Sequence, residues 1–315
     1  MPVSLEQSSN LMKKVSANLA KVIYGKKDKL DLVVLALAAG GHVLIDDIPG
    51  VGKTTLARAL AKSVKGKFAR IQFTPDLLPT DITGINIFNQ KEGFFHFNAG
   101  PLFANIVLAD EINRASPRTQ SALLEAMSEE QVTVDGNSHR LPSPFMVMAT
   151  QNPIEYHGTY PLPEAQLDRF MLQIDLGYLA QDEEKSLLLS RRREDPVEAI
   201  DAVVTLEDLQ KLREFVDTVR MEESVGAYLL NIVLATRSHP QVRLGVSTRG
   251  SLLFARVVRA KAILAGRDYV IPEDVKELAA FVLAHRILLN SKAQHGGLAA
   301  RDIIVQLISS LKVPN

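Results

Sequence analysis

The chain has 315 residues, of which 46% are apolar and 23% are charged, and its 36 basic and 36 acidic side chains leave no formal net charge. This composition is typical of a globular protein of about two domains, and the lack of a basic excess argues against a general nucleic-acid binder. The absence of cysteine excludes disulfides and thiolate metal sites, and no apolar run is long enough for a transmembrane helix, so we expect no membrane insertion and a cytoplasmic location.

Five short apolar runs in the first half of the chain predict buried strands. Helix-forming segments lie between several of them, notably Thr54–Val64 and Pro117–Ser128. Alternating strands and helices favour a mostly parallel sheet that is covered on both faces. The five runs are Val43–Ile45, Ala69–Phe73, Ile106–Ala109, Phe145–Met148 and Phe170–Ile174.

Two segments of this half alternate like β-hairpins. Residues 84–97 place two strand-like halves around Lys91-Glu92-Gly93, and residues 131–141 do so around Asp135-Gly136, a strong turn signal. A minimal parallel sheet needs neither hairpin, so we interpret both as insertions.

The pattern changes after about Leu176. Residues 181–204 are rich in charge and predict a helix that ends in a linker, with Arg191–Arg193 on a solvated helix face. From Thr205 onward we expect helices only, the first with a capping box formed by Thr205 and Asp208. The sequence therefore predicts an α/β domain over 1–180 and an all-helical domain over 205–315. The predicted helices of that second domain are Thr205–Val219, Val225–Ser238, Thr248–Gly266, Pro272–Asn290 and Arg301–Leu311.

A phosphate-binding loop is predicted between the first strand and the following helix. Glycines let the backbone amides approach a phosphate closely, and the helix N-terminus adds partial positive charge. Lys53 would reach the β- and γ-phosphates, and the hydroxyl of Thr54 would bind Mg²⁺. Asp47 stands where the usual pattern begins with glycine, a position remote from the phosphates. The predicted nucleotide-binding residues are Pro49, Gly50, Val51, Gly52, Lys53, Thr54 and Thr55.

Two adjacent acids, Asp110 and Glu111, follow the third buried run. Beside a phosphate loop, Asp110 would hold Mg²⁺ through water, and Glu111 would orient and deprotonate the attacking water. Taken alone, such a pair could also be a solvated strand end or a helix cap.

Three further polar residues stand where hydrolysis of a nucleoside triphosphate needs them. Asn152 follows the fourth run and can hold the attacking water beside Glu111, or it can be a turn residue before Pro153. Arg169 precedes the fifth run, and Arg249 begins a predicted helix. Arginine suits contacts with a γ-phosphate because its charge is permanent and its donors are forked, although ordinary ion pairing or solvation would also explain either residue.

Over essentially its whole length the sequence resembles the MoxR family of AAA+ ATPases. The matching stretches are Gly41–Thr54, Asp76–Gly84, Leu108–Ala115, Gln120–Met127, Gln131–Gly136, Ala149–Pro153 and Glu164–Phe170. The resemblance implies an AAA+ P-loop αβα sandwich with a five-stranded parallel sheet, followed by a small all-helical lid domain. It also implies that 84–97 is the helix-2 insert and 131–141 the pre-sensor-1 hairpin.

The resemblance also assigns roles to residues. It implies that Asn152 is sensor 1, that Arg169 is an arginine finger acting on a neighbouring subunit, and that Arg249 is sensor 2 from the lid. Tyr24 and Gly25 resemble the stretch that flanks the adenine. One departure is Ser247-Thr248-Arg249-Gly250, where the family often has Ser-Pro-Arg-Ala.

Family membership would imply a ring of identical subunits, usually a hexamer, with ATP and Mg²⁺ between them. Family members act as chaperone-like factors that remodel or mature partner complexes, often with von Willebrand A-domain proteins. Two alternatives are a helicase-like nucleic-acid motor and a chelatase-type AAA+ subunit, and the neutral net charge argues against the first. The seven histidines show no ligand spacing, so we predict no histidine metal site.

Overall fold

The computed structural model describes residues 4–152, 160–189 and 195–314. Pro153 and the basic triplet Arg191–Arg193, which carried two of the expectations above, lie outside these ranges. The helices are α1 Leu5–Ala20, α2 Lys27–Ala38, α3 Lys53–Ser63, α4 Pro79–Thr83, α5 Pro117–Glu129, α6 Glu164–Leu167, α7 Gln181–Leu189, α8 Leu206–Thr218, α9 Glu223–Ser238, α10 Thr248–Leu264, α11 Pro272–Leu283, α12 Ser291–His295 and α13 Ala300–Ser310. The strands are β1 Val43–Asp46, β2 Phe68–Gln72, β3 Gly84–Asn89, β4 Phe94–Ala99, β5 Ile106–Asp110, β6 Gln131–Val134, β7 Asn137–Arg140, β8 Met146–Gln151, β9 Leu172–Ile174, β10 Val242–Leu244 and β11 Leu288–Leu289.

A five-stranded parallel sheet in the order β2-β5-β8-β1-β9 forms the centre of the first half. The five predicted strand runs all contribute to it, which confirms the predicted sheet. Because the strands are parallel, their carboxyl ends meet at one edge. The phosphate loop follows β1, the acid pair ends β5, and Asn152 follows β8. The topology therefore brings these three segments to the same edge, where open α/β sheets bind their ligands.

Two hydrophobic cores lie on opposite faces of this sheet. Along β5, Ile106 and Leu108 belong to one core, whereas Val107 and Ala109 belong to the other. This alternation follows from the two-residue period of a strand. The first core includes α1, α2, α3 and the C-terminal helices, and the second includes α5 and Val132 of β6. The predicted three-layer αβα arrangement is thereby confirmed.

Both predicted hairpins are present, as β3–β4 and β6–β7. Asp135 and Gly136 both have positive φ, 49° and 80°, which is the backbone that a tight two-residue hairpin turn requires. The two hairpins contact each other, because the ring of Phe97 stacks on His139 with 3.8 Å between centroids. The amide of Asn86 adds a 2.8 Å hydrogen bond to Asp135.

The C-terminal part, residues 205–314, is helical and is called the lid below. The expected capping box of Thr205 and Asp208 is formed at α8. The predicted fourth lid helix was wrong at its end, since α11 stops at Leu283 rather than near Asn290. Asn290 instead caps the N-terminus of α12, and the intervening chain includes β11, which pairs with β10. Apolar periodicity did not reveal this small antiparallel ribbon.

Helices α1 and α2 were not predicted from the sequence. Helix α1 packs on α3 of the sheet domain, α2 packs on β9, and both helices pack on α10 of the lid. Through these contacts they join the sheet and the lid. Within residues 4–152, 160–189 and 195–314, the helices are all too short or too polar to span a membrane.

Candidate active site

The phosphate loop connects β1 directly to the first turn of α3. Gly50 and Gly52 have φ values of 83° and 90°, a backbone region that side chains with a Cβ rarely adopt. Gly52 is the N-cap of α3, so the loop presents backbone amides at the positive end of the helix dipole. The ammonium of Lys53 donates to the carbonyl oxygens of Asp47 and Ile48, at 2.8 and 3.1 Å. The local geometry is that of an anion-binding loop that folds around its own lysine.

Asp47 is buried beneath this loop, and its carboxylate hydrogen-bonds both to the loop and to the segment after β9. One carboxylate oxygen accepts the amide of Ile48 at 2.8 Å. The other accepts the amides of Leu176 and Gly177, at 2.5 and 2.9 Å, in the segment after β9. The acid that replaces the usual glycine therefore fastens the phosphate loop to a neighbouring segment.

The acid pair is held by the end of β8. The hydroxyl of Thr150 donates to Asp110 at 2.6 Å and accepts the backbone amide of Glu111 at 2.8 Å. The second carboxylate oxygen of Asp110 pairs with Arg70 at 2.7 Å. Glu111 has a left-handed backbone with φ 57°, which costs a residue other than glycine roughly 1–2 kcal/mol. One hydroxyl thus supports both acids and a strained backbone position.

The carboxylate of Glu111 is held by two donors. The side-chain amide of Gln72 and the guanidinium of Arg114 both bond the same oxygen at 2.8 Å. Gln72 lies on β2 opposite Asp110 of β5, so the strand register places it beside the acid pair. The sequence motifs did not predict this supporting set, although the polar residues at alternate positions of the β2 run were a usable signal. The missed residues are Arg70, Gln72, Arg114 and Thr150.

Two cavities lie on either side of the phosphate loop and share its residues. The smaller, of about 400 Å³, contains the acid pair and Asn152 and extends to Thr150 and Gln72. The larger, of about 490 Å³, is more apolar. Its walls include Ile23, Tyr24, Val51, Tyr178 and Leu187. This arrangement provides a polar chamber for phosphates beside an apolar chamber for a base.

Most of the predicted site residues that precede the lid in the chain line these two cavities. Pro49, Gly50, Gly52 and Thr55 line both of them, whereas Lys53 and Thr54 line the polar one. Gly25 does not line the apolar cavity, but it follows Tyr24 with φ 63° and packs closely against Glu183. Of the residues that the structure describes, those lining either cavity all precede residue 200.

Arg169 and Arg249 are not brought to either cavity. Arg169 lies between α6 and β9, where its guanidinium donates to the carbonyl of Leu124 at 2.5 Å and to the hydroxyl of Ser128. Arg249 lies in the first turn of α10. Burial lowers the pKa of Arg169, and the nearby positive charge of Arg249 lowers this pKa further. The two arginines therefore form one cationic pair outside the cleft of their own chain.

Replacing Thr150 with valine is expected to lower kcat about ten-fold or more while ATP still binds. Valine keeps the shape but loses both hydrogen bonds, and losing a bond to a charged group costs roughly 1.5–3 kcal/mol. Steady-state hydrolysis with a parallel measurement of nucleotide affinity checks this. Thr150→Ser is the matched control, because it restores the hydroxyl and should recover most of the rate. Wild-type turnover in the valine variant would show that hydrolysis does not depend on the hydrogen bonds of Thr150 to the acid pair.

Comparison with known proteins agrees with this geometry. Residues 42–172 match the model of the ATPase family associated with various cellular activities (AAA), and residues 234–307 match the AAA lid domain. The chain is 51% identical to the uncharacterized protein YeaC of Bacillus subtilis, over 96% of this chain and 95% of that protein. It is 40% identical to the chaperone MoxR1 of Mycobacterium tuberculosis, over 93% of this chain and 80% of the relative. The crystal structure of a predicted ATPase from Cytophaga hutchinsonii superimposes with a TM-score of 0.91 at 39% identity, covering 99% and 97% of the two chains.

Proposed function

The chain belongs to the MoxR family of AAA+ ATPases, and on that basis we propose that it couples ATP hydrolysis in a ring of identical subunits to the remodelling of partner protein complexes. The protein binds and hydrolyses ATP as a member of this family. The ring, the partners and the individual residue roles are the proposal. The observation that carries it is the location of Arg169 and Arg249 outside their own cleft and close together, since Asp168, the neighbour of Arg169, accepts a hydrogen bond from Ser247 at the start of α10.

The nucleotide would occupy both cavities, with its base in the apolar one and its phosphates in the polar one. Tyr24 and Val51 would contact the base, and the amides of the phosphate loop with Lys53 would bind the phosphates. These assignments rest on the fit between an elongated, half-apolar ligand and two adjoining chambers of about 490 and 400 Å³.

Magnesium fits the polar chamber through oxygen ligands. Among the described residues, no group of three or more His, Cys, Asp or Glu is arranged to hold a metal ion. Mg²⁺ is commonly held by one or two protein oxygens together with substrate phosphates and water. Thr54 and Asp110 both line the chamber and would supply such oxygens. The ion would neutralise charge on the phosphates.

Glu111 is the proposed general base. Its carboxylate lines the polar chamber, and its hydrogen bonds to Gln72 and Arg114 fix its direction. Because both donors bond the same carboxylate oxygen, the second oxygen would accept the proton from water. Asn152, at the end of the adjacent strand, would hold the same water molecule.

The arginine pair supports a site that is completed by a neighbour. Two like charges lie near each other and that of Arg169 is partly desolvated, which is unfavourable until an anion lies between them. A γ-phosphate bound to an adjacent subunit is such an anion, and both arginines would contact it. Hydrolysis would then depend on assembly, which is how AAA+ rings transmit nucleotide state between subunits. We propose a hexamer, following the family resemblance.

The partner class is tested with a trapped complex. Glu111→Gln protein loaded with Mg-ATP is used to capture proteins from a lysate of the source cell, and the bound fraction is identified by mass spectrometry. The control is the double variant Lys53→Ala/Glu111→Gln, which should not bind ATP.

A remodelling ATPase retains a defined protein complex only in the trapped state, and wild-type protein with ATP then alters the subunit composition of that complex. A captured complex that ATP leaves unchanged would contradict the proposed function. Recovery of nuclease-sensitive nucleic acid instead of protein would favour the helicase-like alternative.

A further inference from the structure

Arg286 is a buried lid arginine that holds the segment around Arg169. Its side chain is only 1% exposed, and its Nε donates to a carboxylate oxygen of Asp168 at 3.0 Å. The other guanidinium nitrogens donate to backbone carbonyls on both sides of Arg169. These carbonyls belong to Asp168, Phe170 and Met171. A buried guanidinium requires a carboxylate and nearly complete hydrogen bonding, so this segment is firmly attached to the lid.

Asp168 also contacts the helix that carries Arg249. Its second carboxylate oxygen accepts the hydroxyl hydrogen of Ser247 at 2.7 Å. Ser247 is the N-cap of α10, and its oxygen accepts the amide of Gly250 at 3.0 Å. Arg249 lies in the turn that this cap begins. One carboxylate therefore binds the start of α10 and, through Arg286, the chain beside Arg169.

The two arginines themselves repel each other, so their proximity needs an external restraint. Arg169 is bonded to α5 of the sheet domain, whereas Arg249 belongs to the lid. Asp168 precedes Arg169 in the chain and hydrogen-bonds to Ser247 and Arg286 of the lid, so it links the sheet domain to the lid beside the two arginines. His285 adds a further link, since its ring nitrogen lies 3.0 Å from the carbonyl oxygen of Phe170.

We propose that Asp168 is a positioning residue that holds Arg169 and Arg249 in one fixed arrangement for the ATP of the neighbouring subunit. This inference rests on the proposed function, in which the two arginines act across the subunit interface. A movement of the lid is then transmitted through Ser247 and Arg286 to Arg169. The nucleotide state of one subunit thereby changes the rate at the next site in the ring.

A double-mutant cycle on the full-length protein tests the inference. Asp168→Asn is expected to lower kcat about 10²-fold with KM for ATP unchanged, because a misplacement of about 1 Å at a reacting centre has effects of this size. In the Arg169→Ala background the same substitution should lower kcat by a clearly smaller factor, since one of the two arginines that it positions is already absent, and in the Arg169→Ala/Arg249→Ala background it should lower kcat little further.

The results of the cycle distinguish a failure of the inference about Asp168 from a failure of the proposed function. If Asp168→Asn lowers kcat by the same factor in the wild-type and Arg169→Ala backgrounds, Asp168 does not act through Arg169 and the inference is wrong, while the proposed function survives. If Arg169→Ala alone leaves kcat unchanged, the proposed function fails and the inference fails with it.

A second variant leaves the buried ion pair intact. Ser247→Ala removes only the lid-side bond to Asp168 and the cap, and it should lower kcat about ten-fold, the scale of one hydrogen bond to a carboxylate. Ser247→Thr keeps the hydroxyl and should restore the rate. Ser251→Ala is the matched control, because its hydroxyl bonds only the backbone of Ser247 within the same helix, at 3.3 Å, among the contacts of the described residues. Wild-type kcat in Ser247→Ala, or no recovery with threonine, overturns the inference.

Discussion

Replacing Arg169 with alanine is expected to lower kcat by about 10³-fold, the low end of what arginine fingers contribute in well-studied NTPases. The effect should fall on kcat and leave ATP affinity close to that of the wild type, because Arg169 lines neither cavity of its own chain. The substitution removes the hydrogen bonds of Arg169 to α5 but also relieves its repulsion with Arg249, so we expect only a small fall in the free energy of unfolding. Steady-state hydrolysis, nucleotide titration and thermal unfolding measure these three quantities.

Lysine at the same position provides a further contrast. Arg169→Lys keeps a positive charge but loses the planar fork of donors, so it should remain strongly impaired. Lys211→Ala, which removes an exposed lid cation paired with Glu207, controls for a general loss of charge and should hydrolyse ATP normally. Loss of ATP affinity in Arg169→Ala, with kcat intact, would contradict the assigned role.

Replacing Glu111 with glutamine is expected to slow hydrolysis at least ~10²-fold while ATP still binds. Glutamine has nearly the same shape and can accept the hydrogen bonds from Gln72 and Arg114, but its amide is not basic enough to take a proton from water. A single-turnover measurement with bound ATP isolates the chemical step and checks the prediction.

The matched control for this variant is Glu277→Gln on the surface of α11, where the carboxylate pairs with Lys261. It should hydrolyse ATP at the wild-type rate. Near-normal turnover in Glu111→Gln would instead remove Glu111 as the base and would point to another proton acceptor in the polar chamber.

Local motifs made much of the site readable from the sequence. A strand, a glycine-rich loop and a helix are adjacent in the chain, so the phosphate loop before Lys53 could be predicted without knowledge of tertiary contacts. The acids of β5 and Asn152 after β8 were predictable because parallel strands bring their carboxyl ends to one edge. The Asp-Gly turn of the second hairpin was equally local.

The residues that hold these side chains in place could not be predicted from local motifs. Gln72 acts on Glu111 through the pairing of β2 with β5, and strand order is not encoded in any short segment. The contacts of Asp168 with Ser247 and Arg286 join positions 79 and 118 residues apart in the chain. The position of Arg249 outside its own cleft depends likewise on how the lid packs on the sheet domain.

In the proposed ring each active site is completed by a neighbouring subunit, and mixing two inactive variants tests this most directly. Arg169→Ala subunits keep an intact Glu111, and Glu111→Gln subunits keep an intact Arg169. In an equimolar mixture of freely exchanging rings, we predict ATP hydrolysis at about a quarter of the wild-type rate, because half of the subunits retain the base and half of these have a neighbour with the arginine. A rate equal to the sum of the two separate variants would contradict the account, because it would mean that Arg169 does not act across the interface.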